Sequence, residues 1–286
     1  MEKQGYKACL AQKGRVKREP VTVMPNEVAS PVEHWLDEQA LSLIYSSRYW
    51  NDLAAERNKE WWIADGGEAA YGRLRVYLEE SGLLEDYELA EIYISNMAES
   101  QLAVADLASG IGWTSSLLSK LPNVGRVHAV EISQHRLELL FPQAVQMFGG
   151  NWAKISRNLG SFYELRFDNS SLDVVFLSSA FHHAENPLRL LTEIDRVLKW
   201  GGRLILIGET HISRWSVARR VAKLLLTQRR LTTNFFELFP PDDELGDHYY
   251  RDSDYFFFAQ MLGYRVLKYS VQRRGTAVVV LEKITT

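Results

Sequence analysis

LDVVFLSSAFHHAENPLRLLTEIDRVLKWGGRLILIGE, residues 172–209, reads as strand, helix, strand. Leu172–Ser178 is a short apolar run, the pattern of a strand covered on both faces of a parallel sheet. Asn186 suits an N-cap and Pro187 the first helical position. Gly201 suits the left-handed position that closes a helix. Leu188, Leu191, Ile194 and Leu198 recur at helical spacing and predict one apolar stripe. Arg203–Gly208 (RLILIG) is the next strand. Upstream, Leu102–Leu107 (LAVADL) and Arg126–Glu131 (RVHAVE) repeat the strand pattern, with helix-period segments between several of these runs. Strands alternating with helices predict an α/β fold around a mostly parallel sheet. Downstream, Asp252–Leu262 predicts a helix. Tyr264–Gln272 and Thr276–Lys283 predict an antiparallel hairpin around Arg274-Gly275.

The composition is that of a globular chain. Of 286 residues, 46% are hydrophobic and 24% charged, which excludes disorder for the bulk. No apolar run approaches the ~20 residues of a membrane span, and no secretory signal is visible. Cys9 is the sole cysteine, so an intramolecular disulfide and a cysteine-based zinc site are excluded. The expected compartment is the cytoplasm. A net charge of −3 argues against a nucleic-acid-binding protein.

Three regions differ in character. Residues 1–30, with Lys3, Lys7, Lys13, Arg15, Lys17 and Arg18, predict a flexible basic tail. Residues 31–100 are acidic and aromatic and predict a helical N-terminal cap, with segments at about 32–46, 48–62, 66–81 and 86–100. Residues 101–286 form the α/β domain, with a helical insertion at about 211–247.

The first strand of that domain leads into Asp106-Leu-Ala-Ser-Gly110-Ile-Gly112, a D-x-x-x-G-x-G pattern before the helix-like TSSLLSKL. Glycines there allow a ligand to approach the backbone. Strand carboxyl ends next to helix N-termini are where open α/β sheets bind ligands. A dinucleotide site wants G-x-G-x-x-G, but Ser115 stands at the third position. Asp106 would repel a pyrophosphate and tolerate an ammonium and sulfonium ligand. The charge logic therefore favours S-adenosylmethionine over NAD.

With these residues in view, the sequence resembles the class I, Rossmann-like, S-adenosylmethionine-dependent methyltransferases over about residues 101–210. VADLASGIG resembles the family's first motif, with Ala108 where the first glycine usually sits. Residues 172–209 resemble its fourth-strand, helix and fifth-strand block. The resemblance implies a seven-stranded Rossmann-like sheet ending in an antiparallel hairpin. It also implies that Asp106 holds the methionine end of the cofactor and that Ala108, Ser109, Gly110 and Gly112 let the loop lie against it. Glu131 would take the ribose hydroxyls and Ile132 the adenine face. Ser161 and Phe162 would line the adenine rim, and Leu177 and Ser178 would meet the cofactor's amino group. Tyr49 and Trp50 are candidates to close over it.

The acceptor side is less defined. His182 and His183 follow the fourth strand and are the candidate catalytic residues, since histidine suits a general base. Asp242, Asp243, Asp247 and His248 have no specific metal-site spacing, and no metal is expected. Between Glu209 and Phe236 there is no acidic residue, while Arg214, Arg219, Arg220, Lys223, Arg229 and Arg230 are present. A basic amphipathic lid helix is predicted, with Val217, Val221, Leu224 and Leu225 on one face. The partner expected for it is an anionic or carrier-linked small-molecule acceptor rather than nucleic acid or a membrane. The function expected is methyl transfer to an oxygen or nitrogen of a sugar or secondary metabolite. An NAD-type oxidoreductase and a non-catalytic S-adenosylmethionine-binding protein are the alternatives.

Overall fold

In the computed structural model, residues 30–40, 67–240, 247–272 and 275–284 are described. The tail at 1–29, the predicted helix at 48–62 with Tyr49 and Trp50, and the pair Asp242 and Asp243 lie outside them. Among the described residues eight strands form one sheet: β1 Val32–His34, β2 Leu102–Leu107, β3 Val124–Glu131, β4 Ile155–Leu159, β5 Leu172–Ser178, β6 Leu198–Glu209, β7 Tyr264–Val271 and β8 Ala277–Lys283. Their spatial order is β1-β4-β3-β2-β5-β6-β8-β7. All pairings are parallel except those of β8, which runs antiparallel to both β6 and β7. The chain order reverses between β2 and β5, so the crevice of a doubly wound sheet opens at their carboxyl ends.

The eighth strand corrects the reading of 32–46 as helix from its start. Pro31 lacks a donor and favours extended backbone. Val32–His34 instead adds a short edge to β4, with Val32 opposite Arg157. The Trp35 N–H then donates to the Leu159 carbonyl at 2.9 Å, and its indole packs so closely over Gly160 that a Cβ there would lie 2.6 Å from the ring.

Alternation along the central strands builds two cores. Val104, Val174, Phe176, Ile205, Ile207, Val278 and Val280 face one side of the sheet, against α1 (Gly67–Ser81), α2 (Leu83–Ser95), α3 (Trp113–Leu118) and α4 (Phe141–Phe148). Ala105, Leu107, Val175, Leu177, Leu204, Leu206, Val279 and Leu281 face the other, against α5 (Pro187–Val197) and α8 (Asp252–Leu262). The helices α1 and α2 are thus a layer on the sheet. Asp86 of α2 is fully buried there and accepts hydrogen bonds from the Gly208 N–H and the Thr276 hydroxyl.

The Asn186 cap of α5 forms as the sequence indicates: its side chain accepts from the Arg189 N–H at 3.0 Å. Two details differ. The buried stripe is Leu190, Leu191, Ile194 and Val197, with Leu188 exposed. Gly201 is left-handed, at φ 76, but sits inside β6, where the register against β5 shifts between Leu198 and Arg203, because the helix ends at Val197 and Leu198 is already extended. The insertion holds α6 (Arg214–Gln228) and the short α7 (Phe235–Leu238).

Candidate active site

β2 ends in a loop with two left-handed glycines and a left-handed alanine: Ala108 at φ 50, Gly110 at φ 56 and Gly112 at φ 82. The two glycines serve different needs. A Cβ on Gly110 would meet nothing within 4 Å, so this backbone borders open space. A Cβ on Gly112 would fall 2.3 Å from the Phe141 ring. Gly112 therefore makes room for Phe141 at the start of α4. Ala108 holds a conformation that costs an L-residue roughly 1–2 kcal/mol, at the place where glycine would be free of strain.

Asp106 lies beneath this loop, fully buried. One carboxylate oxygen accepts the hydroxyls of Thr114 at 2.7 Å and Ser115 at 2.5 Å, both on the first turn of α3. The serine that breaks the dinucleotide pattern is thus a ligand of the strand-end carboxylate. The other oxygen, Oδ1, has no hydrogen-bond partner among the described residues. Burial is the main cause that lifts the Asp106 pKa from 3.8 to about 6, against the lowering by the two hydroxyls, with Glu131 raising it a little further.

Glu131 ends β3 as expected. Its carboxylate accepts the N–H of Gly110 at 2.8 Å, of Ile132 at 3.0 Å and of Ser133 at 2.9 Å. A carboxylate offers about four acceptor positions, so these bonds leave little capacity for two ribose hydroxyls while Gly110 stays bound. Ile132 is half-buried beside it. The Ser161 hydroxyl accepts from the Tyr163 N–H at 3.2 Å, and the Phe162 ring stands edge-on to Tyr163. Leu177 is fully buried at the end of β5, while Ser178 is half-buried. The hydroxyls of Ser109 and Ser178 are buried without partners among the described residues.

The histidines stand on a tight turn, Phe181–His183, just past β5. Glu209, at the end of β6 and fully buried, holds that turn. Its carboxylate accepts the N–H groups of Ala180, Phe181 and His182, and lies 2.9 Å from His182 Nδ1. His183 Nδ1 lies 2.7 Å from Asp247 Oδ1, and the two imidazoles are 4.2 Å apart. The His248 N–H donates to the His182 carbonyl at 2.8 Å, which brings the 247–248 segment to this turn. Ligand-type atoms of His182, His183 and Asp247 lie within 4.8 Å of one another. That set has the chemistry to hold a divalent cation; His182 is hydrogen-bonded to Glu209, and His183 makes a close ionic contact with Asp247. Sequence reading missed Glu209, and it set Asp247 aside with Asp242, Asp243 and His248 as lacking metal-site spacing. Glu209 carries the same signal as Glu131, a carboxylate ending a strand. The pairing of Asp247 with His183 was not legible, because the two are distant in sequence.

Residues 105–206 match the family model described as a methyltransferase domain. That stretch, about a third of the chain, is a methyltransferase domain. The demethylmenaquinone methyltransferase of Lactococcus lactis is 32% identical over 111 residues, covering 38% of this chain and 43% of that protein. This chain spans less than half the length of the curated relatives it matches. A chain in the Haloferax volcanii complex that contains the Trm112 methyltransferase activator superposes with a TM-score of 0.54 at 18% identity, over 80% of this chain and 98% of its own. A SAM-dependent methyltransferase from Aquifex aeolicus superposes with a TM-score of 0.50 at 16% identity, over 71% of this chain and 93% of its own. These two likenesses show the fold. S-adenosylmethionine is the cofactor of this domain class, and the residues fit it. The open face of Gly110 and the Asp106 Oδ1, Ser109 and Ser178 oxygens, which have no hydrogen-bond partner among the described residues, lie on the neighbouring carboxyl ends of β2 and β5 at the switch point of the sheet.

Proposed function

We propose that the protein transfers a methyl group from S-adenosylmethionine to an oxygen or nitrogen of a small molecule, a sugar or secondary metabolite. When bound, the cofactor supplies a methyl group already activated on a sulfonium. Asp106, Ala108, Ser109 and Gly110 hold its methionine end, the carboxylate favouring the cationic groups there. Glu131, on releasing the Gly110 N–H, takes the ribose and Ile132 the adenine, Ser161 and Phe162 the adenine rim, and Leu177 and Ser178 the amino group. The chain's further task is to align an acceptor and keep water out.

The observation that carries the acceptor half is the pairing of the two histidines with separate carboxylates. Glu209 fixes the His182 ring and the backbone of the turn. His183 is only half-buried, with Asp247 at Nδ1. A carboxylate at Nδ1 orients an imidazole and stabilises its protonated form, so Nε2 is the nitrogen that takes a proton from an acceptor hydroxyl or ammonium. We assign His183 that role and His182 a positioning one. A panel of sugar, phenol and amine acceptors, scored by release of S-adenosylhomocysteine, tests the reading. Cofactor binding without turnover on any acceptor class would leave a binding protein instead. Turnover that survives His183→Ala would remove the base.

A further inference from the structure

We propose that α6 is a docking surface for an anionic lipid bilayer. Its site is separate from the methyl-transfer pocket and independent of the reading above.

The sequence suggests a lid helix with its apolar side turned inward. The structure divides the helix differently. Val217, Val221 and Leu224 face the protein and are only half-buried, and no residue of α6 is fully buried. Trp215 is 76% exposed and Leu226 83%, and Leu225 is exposed as well. At 3.6 residues per turn, Leu225, Ala218, Ala222, Trp215 and Leu226 fall on one outward arc of about 100°. Arg214 borders that arc on one edge, and Arg219 and Lys223 on the other. None of these three cations has a carboxylate partner among the described residues. Arg230, by contrast, pairs with Glu237, and Arg220 stacks on Phe239. Leu231, 69% exposed, follows Arg229 and Arg230 and extends the pattern beyond the helix end.

An outward apolar arc with cations on both edges matches the interface between lipid headgroups and acyl chains. Trp and Leu enter the boundary while Arg and Lys meet anionic headgroups. Charge complementarity selects an anionic surface, since the stretch from Thr210 to Phe236 has no acidic residue. The face is the convex side of a 15-residue helix, which suits a planar bilayer better than a groove-binding peptide. The helix lies on such a surface and does not cross it: no helix among the described residues is long and apolar enough to span a membrane.

The test is co-sedimentation of the full chain with phosphatidylcholine vesicles and with phosphatidylcholine–phosphatidylglycerol vesicles, across a salt series. The expected result is binding to the anionic vesicles alone, weakening as salt rises. Arg219→Ala with Lys223→Ala should weaken it about 30-fold, from roughly fivefold per cation near an anionic surface. Trp215→Ser with Leu226→Ser should abolish it while S-adenosylmethionine titrations stay at the wild-type value, which also certifies that the variants fold. Absence of sedimentation, equal binding to both vesicle types, or binding unchanged in both double variants would overturn the proposal. So would salt-insensitive binding by the unmodified chain.

Discussion

Asp106→Asn isolates the energetic cost of the carboxylate at the centre of the site. The rise from 3.8 to about 6 corresponds to about 3 kcal/mol at ~1.36 kcal/mol per pH unit. Its sign follows from proton binding. Between these two values the folded chain holds a proton on Asp106 that the unfolded chain releases. The group's contribution is therefore fully favourable below about pH 4 and is lost as pH rises through about 6. Asparagine keeps an acceptor for Thr114 and Ser115 and never ionises. Its amide N–H₂ would replace the oxygen that has no partner, at a cost of about 1–3 kcal/mol that does not vary with pH. Urea unfolding of both proteins from pH 4 to pH 7.5 gives two stability curves, and their difference cancels the carboxylates common to both. The Asn variant should gain on the wild type by about 2.4 kcal/mol across that interval, the remainder of the about 3 kcal/mol lying below pH 4. A flat difference would refute the account of Asp106 as a carboxylate ionised against its burial. A second readout uses the ligand. A cationic cofactor favours the ionised form, so wild-type affinity should rise as pH passes 6, while the variant's weaker affinity should stay level.

Gly112→Ala should cost stability without cofactor, by about 2 kcal/mol or more, since both its left-handed backbone and the Phe141 ring oppose a Cβ. Gly110→Ala should cost less stability and more cofactor affinity, and thermal melts beside S-adenosylmethionine titrations separate the two. Ala108→Gly should relieve a left-handed alanine and raise or hold stability within about 1 kcal/mol, as read from denaturant midpoints. Glu131→Gln should weaken cofactor binding at least tenfold, about 1.4 kcal/mol, and should also loosen the glycine loop in the cofactor-free protein, seen as faster amide exchange at Gly110. His183→Ala should lower turnover by ~10²–10⁴-fold, the range for a lost general base, with cofactor affinity near wild type. Glu209→Gln should alter the pH profile of turnover through His182, and an unchanged profile would reduce Glu209 to a scaffold for the turn.

What the sequence determined on its own is local. The apolar runs of β2 and β5 match the observed strands residue for residue, because a strand buried on both faces leaves an unbroken apolar stretch whatever it packs against. Asn186-Pro187 started α5 because capping uses atoms three residues apart. Asp106 and Glu131 were legible as strand-end carboxylates for the same reason. Tertiary structure decided which partner each of these groups meets. Three residues of β1 carry no periodicity of their own and become a strand only because the β4 edge offers backbone groups to pair with. The second glycine of the loop answers to Phe141, and Glu131 is bound to the loop that its own strand neighbours. Glu209 grips the His182 turn because β5 and β6 run parallel and bring their carboxyl ends together, and His183 meets Asp247 where the His248 N–H bonds the His182 carbonyl. Spacing along a chain encodes contacts within a turn or a strand, whereas these contacts arise from the order in which strands are laid into the sheet.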